Sequence, residues 1–217
     1  VKSGFWSSFR NQALLAFNES LAVGVNYENR FNISQMGTRS AGILIPSGKT
    51  SLGVIYSNFG YTAFRRQMAG VACGLPLSER ISAGIQADFF SERTAGEYEN
   101  YQIITFESGL IVKPSDNTYF GIHVFNPVPN SIRNSFLPST LSVGGGITLS
   151  RILFAGAEVE MSSGNRISLR TGFDYEASGN LFLRGGFSSE NTSFTIGLGY
   201  VLRSLKLDLS FATHENL

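Results

Sequence analysis

Residues 80–90 read RISAGIQADFF, and the side chains after Arg80 alternate along the chain. One set is apolar and consists of Ile81, Ala83, Ile85, Ala87 and Phe89. The intervening set is mostly small or polar and consists of Ser82, Gly84, Gln86, Asp88 and Phe90. Because successive side chains of a β-strand point to opposite faces, this alternation predicts a strand with one apolar and one polar face.

The same pattern recurs along the chain, and helical periodicity is nearly absent. RILFAGAEVEM (151–161), RISLRTGFDY (166–175) and SLKLDLSFA (204–212) alternate in this way. Candidate strands lie near 20–31, 37–46, 49–57, 62–74, 79–91, 99–113, 117–125, 139–150, 151–162, 165–176, 179–188, 191–202 and 204–213. Their short Gly-, Pro-, Asn- and Ser-rich links predict an antiparallel up-and-down meander. These are thirteen candidates. Because bacterial outer-membrane barrels usually have an even number of strands, we expect about twelve to fourteen strands and take thirteen to be a miscount.

Alternation alone leaves open whether the apolar face covers a soluble core or contacts lipid. Glycine favours a closed membrane barrel, because the concave inner face of a barrel is crowded and small residues relieve the crowding. Most strand glycines fall on the polar face, namely Gly24, Gly42, Gly53, Gly84, Gly109, Gly121, Gly144, Gly146, Gly156, Gly172, Gly186, Gly197 and Gly199. The pattern places four on the apolar face, namely Gly70, Gly74, Gly145 and Gly185.

Charges of both signs occupy the polar face of the C-terminal strands. They are Glu158, Glu160, Arg166, Arg170, Asp174, Arg184, Lys206 and Asp208. Neighbouring strands bring such side chains within reach, so we predict a network of ion pairs across a polar lumen, with a solvated outer face as the alternative. Arg39 and Arg66 fall on the apolar face, where lipid contact is costly, and a bulge near 64–67 would move Arg66 to the polar face.

The composition excludes several function classes. Charged residues make up 15% of the chain, against about 25% in soluble domains. The net charge of +1 is too small for a nucleic-acid binder. The one cysteine, Cys73, allows no internal disulfide and no multi-cysteine zinc site. The two histidines, His123 and His214, accompany no nucleophile motif, so we expect no enzymatic activity, no cofactor and no metal.

We expect a single domain over residues 1–217, with barrel strands over 20–213. The opening segment, 1–19, is aromatic and aperiodic and would fill the lumen, with Asn11, Gln12, Ala13, Leu14 and Leu15 as its central residues. Two connections, 91–100 and 126–139, are longer than the others. The second is a candidate partner-binding loop and contains Pro127, Pro129, Phe136 and Pro138.

Residues NQALLAF (11–17) resemble the Asn-Pro-Ala-x-Leu-Ala motif near the N-terminus of FadL-related outer-membrane barrels, with Gln12 in place of proline. The runs LAVGVNYENRF (21–31), FGIHVFNPVPNS (120–131) and LPSTLSVGGGITLS (137–150) are similar to the PorV/PorQ-like group of Bacteroidota barrels, as are 51–90 and 181–217. The resemblance implies a closed β-barrel in the bacterial outer membrane, surrounded by lipid, with its N-terminal segment inside the lumen. Because Gln12 replaces the proline of the motif, the resemblance also implies that the chain is less rigid at this position.

The resemblance and the short links lead to one main hypothesis and two alternatives. The main hypothesis is a non-enzymatic accessory or plug subunit of the type IX protein secretion translocon. Its partners would be a large outer-membrane translocon protein and other barrel subunits. The first alternative is a passive FadL-like channel for hydrophobic small molecules, which predicts an apolar pocket near the N-terminal segment. The second is a soluble β-sandwich binding module.

Overall fold

The computed structural model describes residues 4–29, 33, 36–95, 100–128, 137–164, 166–190 and 192–213. In these ranges two short 3₁₀ helices, Trp6–Phe9 and Gln12–Phe17, precede thirteen strands. The strands are β1 (Ala22–Asn29), β2 (Gly37–Ser47), β3 (Thr50–Tyr61), β4 (Phe64–Pro76), β5 (Ile81–Thr94), β6 (Tyr101–Ser115), β7 (Thr118–Phe125), β8 (Thr140–Ser150), β9 (Leu153–Ser162), β10 (Arg166–Ser178), β11 (Leu181–Ser188), β12 (Ser193–Leu202) and β13 (Leu205–Ala212).

The strands are hydrogen-bonded in chain order, from β1 beside β2 to β12 beside β13. The prediction of an all-β, antiparallel, up-and-down sheet is confirmed. The described residues hold thirteen strands, so the expectation of an even number is wrong for this part of the chain. Within the same ranges, no helix has the length and hydropathy that a bilayer crossing requires.

Tight links hold each strand beside its neighbour in sequence. Several links are just two residues long, for example residues 48–49, 116–117 and 179–180. Gly48 has a φ of 62°, a left-handed backbone conformation that glycine adopts without strain. The Gly-, Asn- and Ser-containing links therefore form hairpin turns, as their residues predicted.

The chain divides into two compact units. The N-terminal unit comprises the described residues up to Ile111 together with those of His123–Ser139, and the C-terminal unit comprises Val112–Ile122 and the described residues from Thr140 onwards. The assignment of residues 1–217 to a single domain stays a prediction.

In the N-terminal unit the polar face of the sheet is the buried one. In β5, Ile85 is 66% exposed, whereas Gln86 is 2% and Asp88 1% exposed. In β3, Leu52 and Val54 are likewise exposed, whereas Ser51 is buried. A soluble β-sandwich buries its apolar faces against each other, so this arrangement is the reverse of a sandwich. We call the two sides of this sheet the covered face and the exposed face.

Strand β4 corrects the predicted positions of two glycines. Gly70 and Gly74 are buried, whereas Val71 is 60% and Leu75 41% exposed. The two glycines therefore lie on the covered face and not on the apolar exposed face. The pattern misled because Met68 and Ala72 share their side of the strand, and that side is apolar because it packs against the N-terminal segment.

Arg66 lies on the same side of β4 as these glycines, so its predicted placement on the apolar face is wrong. Its guanidinium Nη2 lies 2.6 Å from a carboxylate oxygen of Glu92 in β5. β4 pairs with β3 and β5 in an unbroken register, so no bulge near 64–67 is needed. Arg39 is exposed near the start of β2, on the side predicted for it.

The N-terminal segment, described over residues 4–19, packs on the covered face of β3, β4 and β5. Its apolar side chains form two clusters. In the first, Phe9 and Leu15 pack with Leu44, Ile55 and Ala72. In the second, Ala13 and Leu14 pack with Ile111. Full burial of a large apolar side chain contributes about 1.5–3 kcal/mol, so these contacts stabilise the docked segment.

Glycine allows the backbone of this segment to approach the sheet closely. A Cβ atom built on Gly84 would overlap the carbonyl carbon of Gln12 and the backbone nitrogen of Ala13. A Cβ on Gly74 would overlap Leu15, and one on Gly109 would overlap the side chain of Asn11. Three strands thus carry glycine where the segment touches them.

The substitution Gly84→Ala tests this close approach. Its methyl group would collide with backbone atoms that have no rotamer freedom, so we expect a loss of about 1–3 kcal/mol in unfolding free energy. Urea unfolding followed by circular dichroism measures it. Gly179→Ala is the matched control, because nothing lies within 4 Å of its added Cβ, and it should change stability by less than about 0.5 kcal/mol. Equal midpoints for the two variants would contradict the packing described.

Candidate functional site

Five polar side chains meet beneath the N-terminal segment in the N-terminal unit, and we call them the carboxylate cluster: Gln12, Gln86, Asp88, Glu107 and His123. The second 3₁₀ helix brings Gln12 to the sheet. Asn11 precedes this helix in an extended conformation, and its side-chain Oδ1 accepts a hydrogen bond of 3.1 Å from the Ala13 N–H. This cap fixes the start of the helix, and Gln12 is completely buried.

Glu107 of β6 is the centre of the carboxylate cluster. Gln12 Nε2 donates to Glu107 Oε2 at 2.9 Å, and His123 Nε2 lies 2.8 Å from the same oxygen. Gln86 Nε2 donates to Glu107 Oε1 at 3.0 Å and to Asp88 Oδ1 at 2.7 Å. One carboxylate therefore joins the N-terminal segment to three strands of the sheet.

The carboxylate cluster has more acceptor oxygens than donors. Gln12 Oε1, Gln86 Oε1 and Asp88 Oδ2 are buried and receive no hydrogen bond from the described residues. A buried polar atom without a partner is costly, so such atoms mark places where another group or a proton binds. The described part of the chain holds no group of three His, Cys, Asp or Glu side chains able to bind a metal ion.

The sequence placed Gln86 and Asp88 on a polar face but did not identify the carboxylate cluster. The available signal was the pair Gln86 and Asp88, two residues apart on one face of β5. The side chain of His123, which accompanies no nucleophile motif in the sequence, is 14% exposed beside Glu107. Gln12 was expected to loosen its corner, but it adds a side-chain hydrogen bond that proline cannot make.

The predicted charge network appears in the C-terminal unit as two groups of ion pairs. Arg170 of β10 forms the first group, with a paired contact to Glu160 of β9 at 2.7 and 3.0 Å. Glu158 lies 3.3 Å and Glu190 3.4 Å from the same guanidinium. Planar guanidinium groups favour this two-pronged carboxylate geometry.

Arg184 of β11 forms the second group. It donates to Asp174 of β10 at 3.0 Å and to Asp208 of β13. Gly199 of β12 makes this reach possible, because a Cβ there would lie 2.8 Å from Arg184 Nη2 and 2.7 Å from Asp208 Oδ1. Glycine on the polar face therefore leaves room for an ion pair that passes over a strand.

Two predicted members of the network lie at its margin. Lys206 is 52% exposed in its side chain, and its Nζ is 3.9 Å from Asp208. Arg166 is exposed at the start of β10, opposite Ser162. Among the described contacts, Arg166 belongs to neither group.

The predicted lumen residues Asn11, Gln12, Ala13, Leu14 and Leu15 are all buried, with at most 9% exposure. A cavity of about 170 Å³ adjoins them. It is lined by Phe5, Leu14, Phe17, Ala22 and Leu44, together with Gly4, Ser8 and Asn18. This cavity is partly open and has polar residues in its lining, so it matches in volume, but not in enclosure, the roughly 150 Å³ engineered cavities that bind benzene.

The candidate partner loop is described in part. Pro127 and Pro138 are exposed, whereas Pro129 and Phe136 lie outside the described residues. Asn126 is fully buried at the base of the loop, where its Nδ2 donates to the Leu137 carbonyl at 2.9 Å. Its Oδ1 accepts a hydrogen bond of 2.7 Å from Thr105 Oγ1.

The substitution Arg184→Gln tests the second ion-pair group. It removes the guanidinium that joins Asp174 to Asp208, so we expect a loss of about 1–3 kcal/mol in unfolding free energy. The matched control Lys206→Gln removes an exposed cation and should cost less than about 0.5 kcal/mol. Addition of Asp174→Asn to Arg184→Gln should restore part of the loss, because it removes one of the two negative charges that Arg184 binds. Equal effects of the two single variants would contradict the assignment.

Comparison with known proteins identifies the fold. No protein-family model and no curated protein matches the chain. The structure is similar to a FadL homologue from Pseudomonas aeruginosa, with 12% identity, a TM-score of 0.63, and coverage of 95% of this chain and 84% of that chain. It is also similar to a porin variant from Rh. blastica, with 14% identity, a TM-score of 0.46, and coverage of 81% and 55%. The chain therefore has the all-β, up-and-down fold of the FadL homologue.

Proposed function

We propose that this chain is a closed β-barrel of the bacterial outer membrane that admits small apolar compounds. The exposed face of the N-terminal unit carries the proposal. Large apolar side chains such as Ile85 and Val71 are mostly exposed there, while the polar residues between them are buried. In lipid this arrangement is favourable, because the apolar side chains meet hydrocarbon and the backbone hydrogen bonds are satisfied between strands.

The fold supports the same conclusion. A barrel like that of the FadL homologue closes its sheet and so leaves no strand edge exposed to hydrocarbon. The covered face would then be the inner face, and the N-terminal segment would lie in the lumen. The mixed-sign charges of Arg170 and Arg184 and their partners would be the polar lining of that lumen in the C-terminal unit.

The cavity beside Phe5 and Leu14 supports the transport of apolar compounds. The channel hypothesis predicted an apolar pocket near the N-terminal segment. The cavity found there has the apolar side chains of Phe5, Leu14 and Leu44 in its lining, together with the polar residues Ser8 and Asn18. We expect no enzymatic activity and no resident cofactor.

An accessory or plug role in a type IX secretion translocon stays a prediction, as does membership of the PorV/PorQ-like group. Co-purification with a very large outer-membrane protein after mild cross-linking would support this role, whereas isolation only as a free monomer would contradict it.

A pair of lysine substitutions tests the membrane location. Val71 lies near the middle of β4 and is 60% exposed, while Leu77 follows the end of β4 and is 58% exposed. Val71→Lys should lower the yield of insertion into lipid vesicles, because a lysine near the bilayer midplane costs about 2–4 kcal/mol. Leu77→Lys should insert like the parent chain.

Vesicle flotation measures insertion for both variants. The outcome that contradicts the membrane location is a Val71→Lys protein that remains monodisperse without detergent, as does its parent. In that case the exposed face contacts water, and the membrane location is wrong.

Filling the cavity tests the transport of apolar compounds. Ala22 lines the cavity, whereas Ala41 lies on the exposed side of β2. Ala22→Phe should abolish binding of toluene by the purified chain, as seen by ligand-observed NMR, and slow its entry into vesicles with a lipopolysaccharide outer leaflet. Ala41→Phe should leave both unchanged. Undiminished toluene entry with Ala22→Phe would argue against this route.

A further inference from the structure

The carboxylate cluster brings two acidic groups together in a buried place. Asp88 is 1% and Glu107 8% exposed. A single nitrogen, Gln86 Nε2, donates to both carboxyl groups, at 2.7 and 3.0 Å. Because one nitrogen contacts an oxygen of each group, the two carboxyl groups lie side by side. Since both groups accept when ionised, a hydrogen bond between them requires a proton on one of them.

The surroundings supply little positive charge. His123 lies 2.8 Å from Glu107 and is the one titratable neighbour with a basic nitrogen among the described contacts of the cluster. Along β4 and β5, Arg66 and Glu92 bind each other. The second 3₁₀ helix contributes the uncharged Gln12, and β4 contributes Gly70 opposite Asp88. Two ionised carboxylates would therefore face each other with at most one compensating cation.

We propose that Asp88 and Glu107 bind one shared proton, and that loss of this proton releases the N-terminal segment from the sheet. Two carboxylates in one buried site do not both ionise without a large penalty. In the protonated state Glu107 accepts the hydrogen bond from Gln12 and the segment stays docked. After the proton is lost, both charges need water, and the N-terminal segment covers them.

Asp88 Oδ2 fits the position of such a proton. It is buried and receives no hydrogen bond from the described residues, so it alone of the four carboxylate oxygens has no assigned donor. A proton on Asp88 makes this carboxyl group a donor and leaves Glu107 as the single buried anion. Gln12, Gln86 and His123 then surround that anion.

The chain contains its own reporter of this release. Trp6 is its only tryptophan, and it lies in the first 3₁₀ helix, packed against the cluster of Phe9 and Leu15. Its ring lies 4.8 Å from that of Phe5. Undocking of the segment would move the indole into water and make its fluorescence accessible to acrylamide.

The experiment measures acrylamide quenching of Trp6 in the purified full chain from about pH 6 to about pH 9, a range that spans the titration of known buried carboxyl groups. It can be run in detergent or in buffer, so it does not depend on where the chain resides. We expect the quenching constant to rise at least about twofold with pH, because local opening exposes the indole. A constant that stays flat would overturn the proposal.

Three variants test whether the carboxyl pair causes the rise in quenching. Asp88→Asn is isosteric and cannot lose a proton, so its quenching should stay low at every pH. Glu92→Gln, on the same strand but outside the cluster, should keep the parent profile. His123→Gln retains a side-chain donor and should keep a rise of quenching with pH, with the midpoint moved to higher pH because the basic neighbour of the pair is removed. Persistence of the pH dependence in Asp88→Asn, or its loss in His123→Gln, would overturn the assignment to the carboxyl pair. If circular dichroism shows that Asp88→Asn is unfolded, Glu107→Gln takes its place, and persistence of the pH dependence of quenching in that variant would overturn the assignment.

Discussion

The contact between the N-terminal segment and the covered face is the interaction on which the N-terminal unit depends. Without it, the carboxyl groups of Asp88 and Glu107 would lie open and the apolar side chains of Leu44 and Ile55 would lose their partners. Glycine in β4, β5 and β6 permits the contact, because a Cβ in β4 or β5 would overlap the segment's backbone and one in β6 would overlap the side chain of Asn11. The exposed face can then be apolar, since the polar side chains lie on the other side.

The C-terminal unit satisfies its polar face by a different means. Arginine side chains bridge acids on neighbouring strands there, and one of them passes over a glycine to a strand beyond. The same small residue thus serves two purposes in the two units: it admits a backbone in one and a guanidinium in the other. This explains physically why glycine and paired charges share one side of the strands.

The sequence predicted the strands well and the site only in part. Alternation is a local property, so residues 80–90 alone were enough to predict β5. The hairpin links were predicted from their own Gly, Pro, Asn and Ser residues. β4 was misassigned because Met68 and Ala72, which contact the N-terminal segment, made its covered side look lipid-facing. The carboxylate cluster joins residues as far apart as Gln12 and Glu107, and such a contact depends on strand register and segment docking. Composition and spacing do not carry that information.

The central claim is that the exposed face of β5 contacts lipid. Spin labels at Ile85, Ala87 and Phe89, placed one at a time on a chain with Cys73 replaced by alanine, test it in reconstituted bilayers. Collision rates with molecular oxygen, which concentrates in hydrocarbon, should be high at all three positions, and those with a water-soluble nickel chelate should be low. High collision rates with the nickel chelate at these positions would contradict the account, because the apolar face would then be in water.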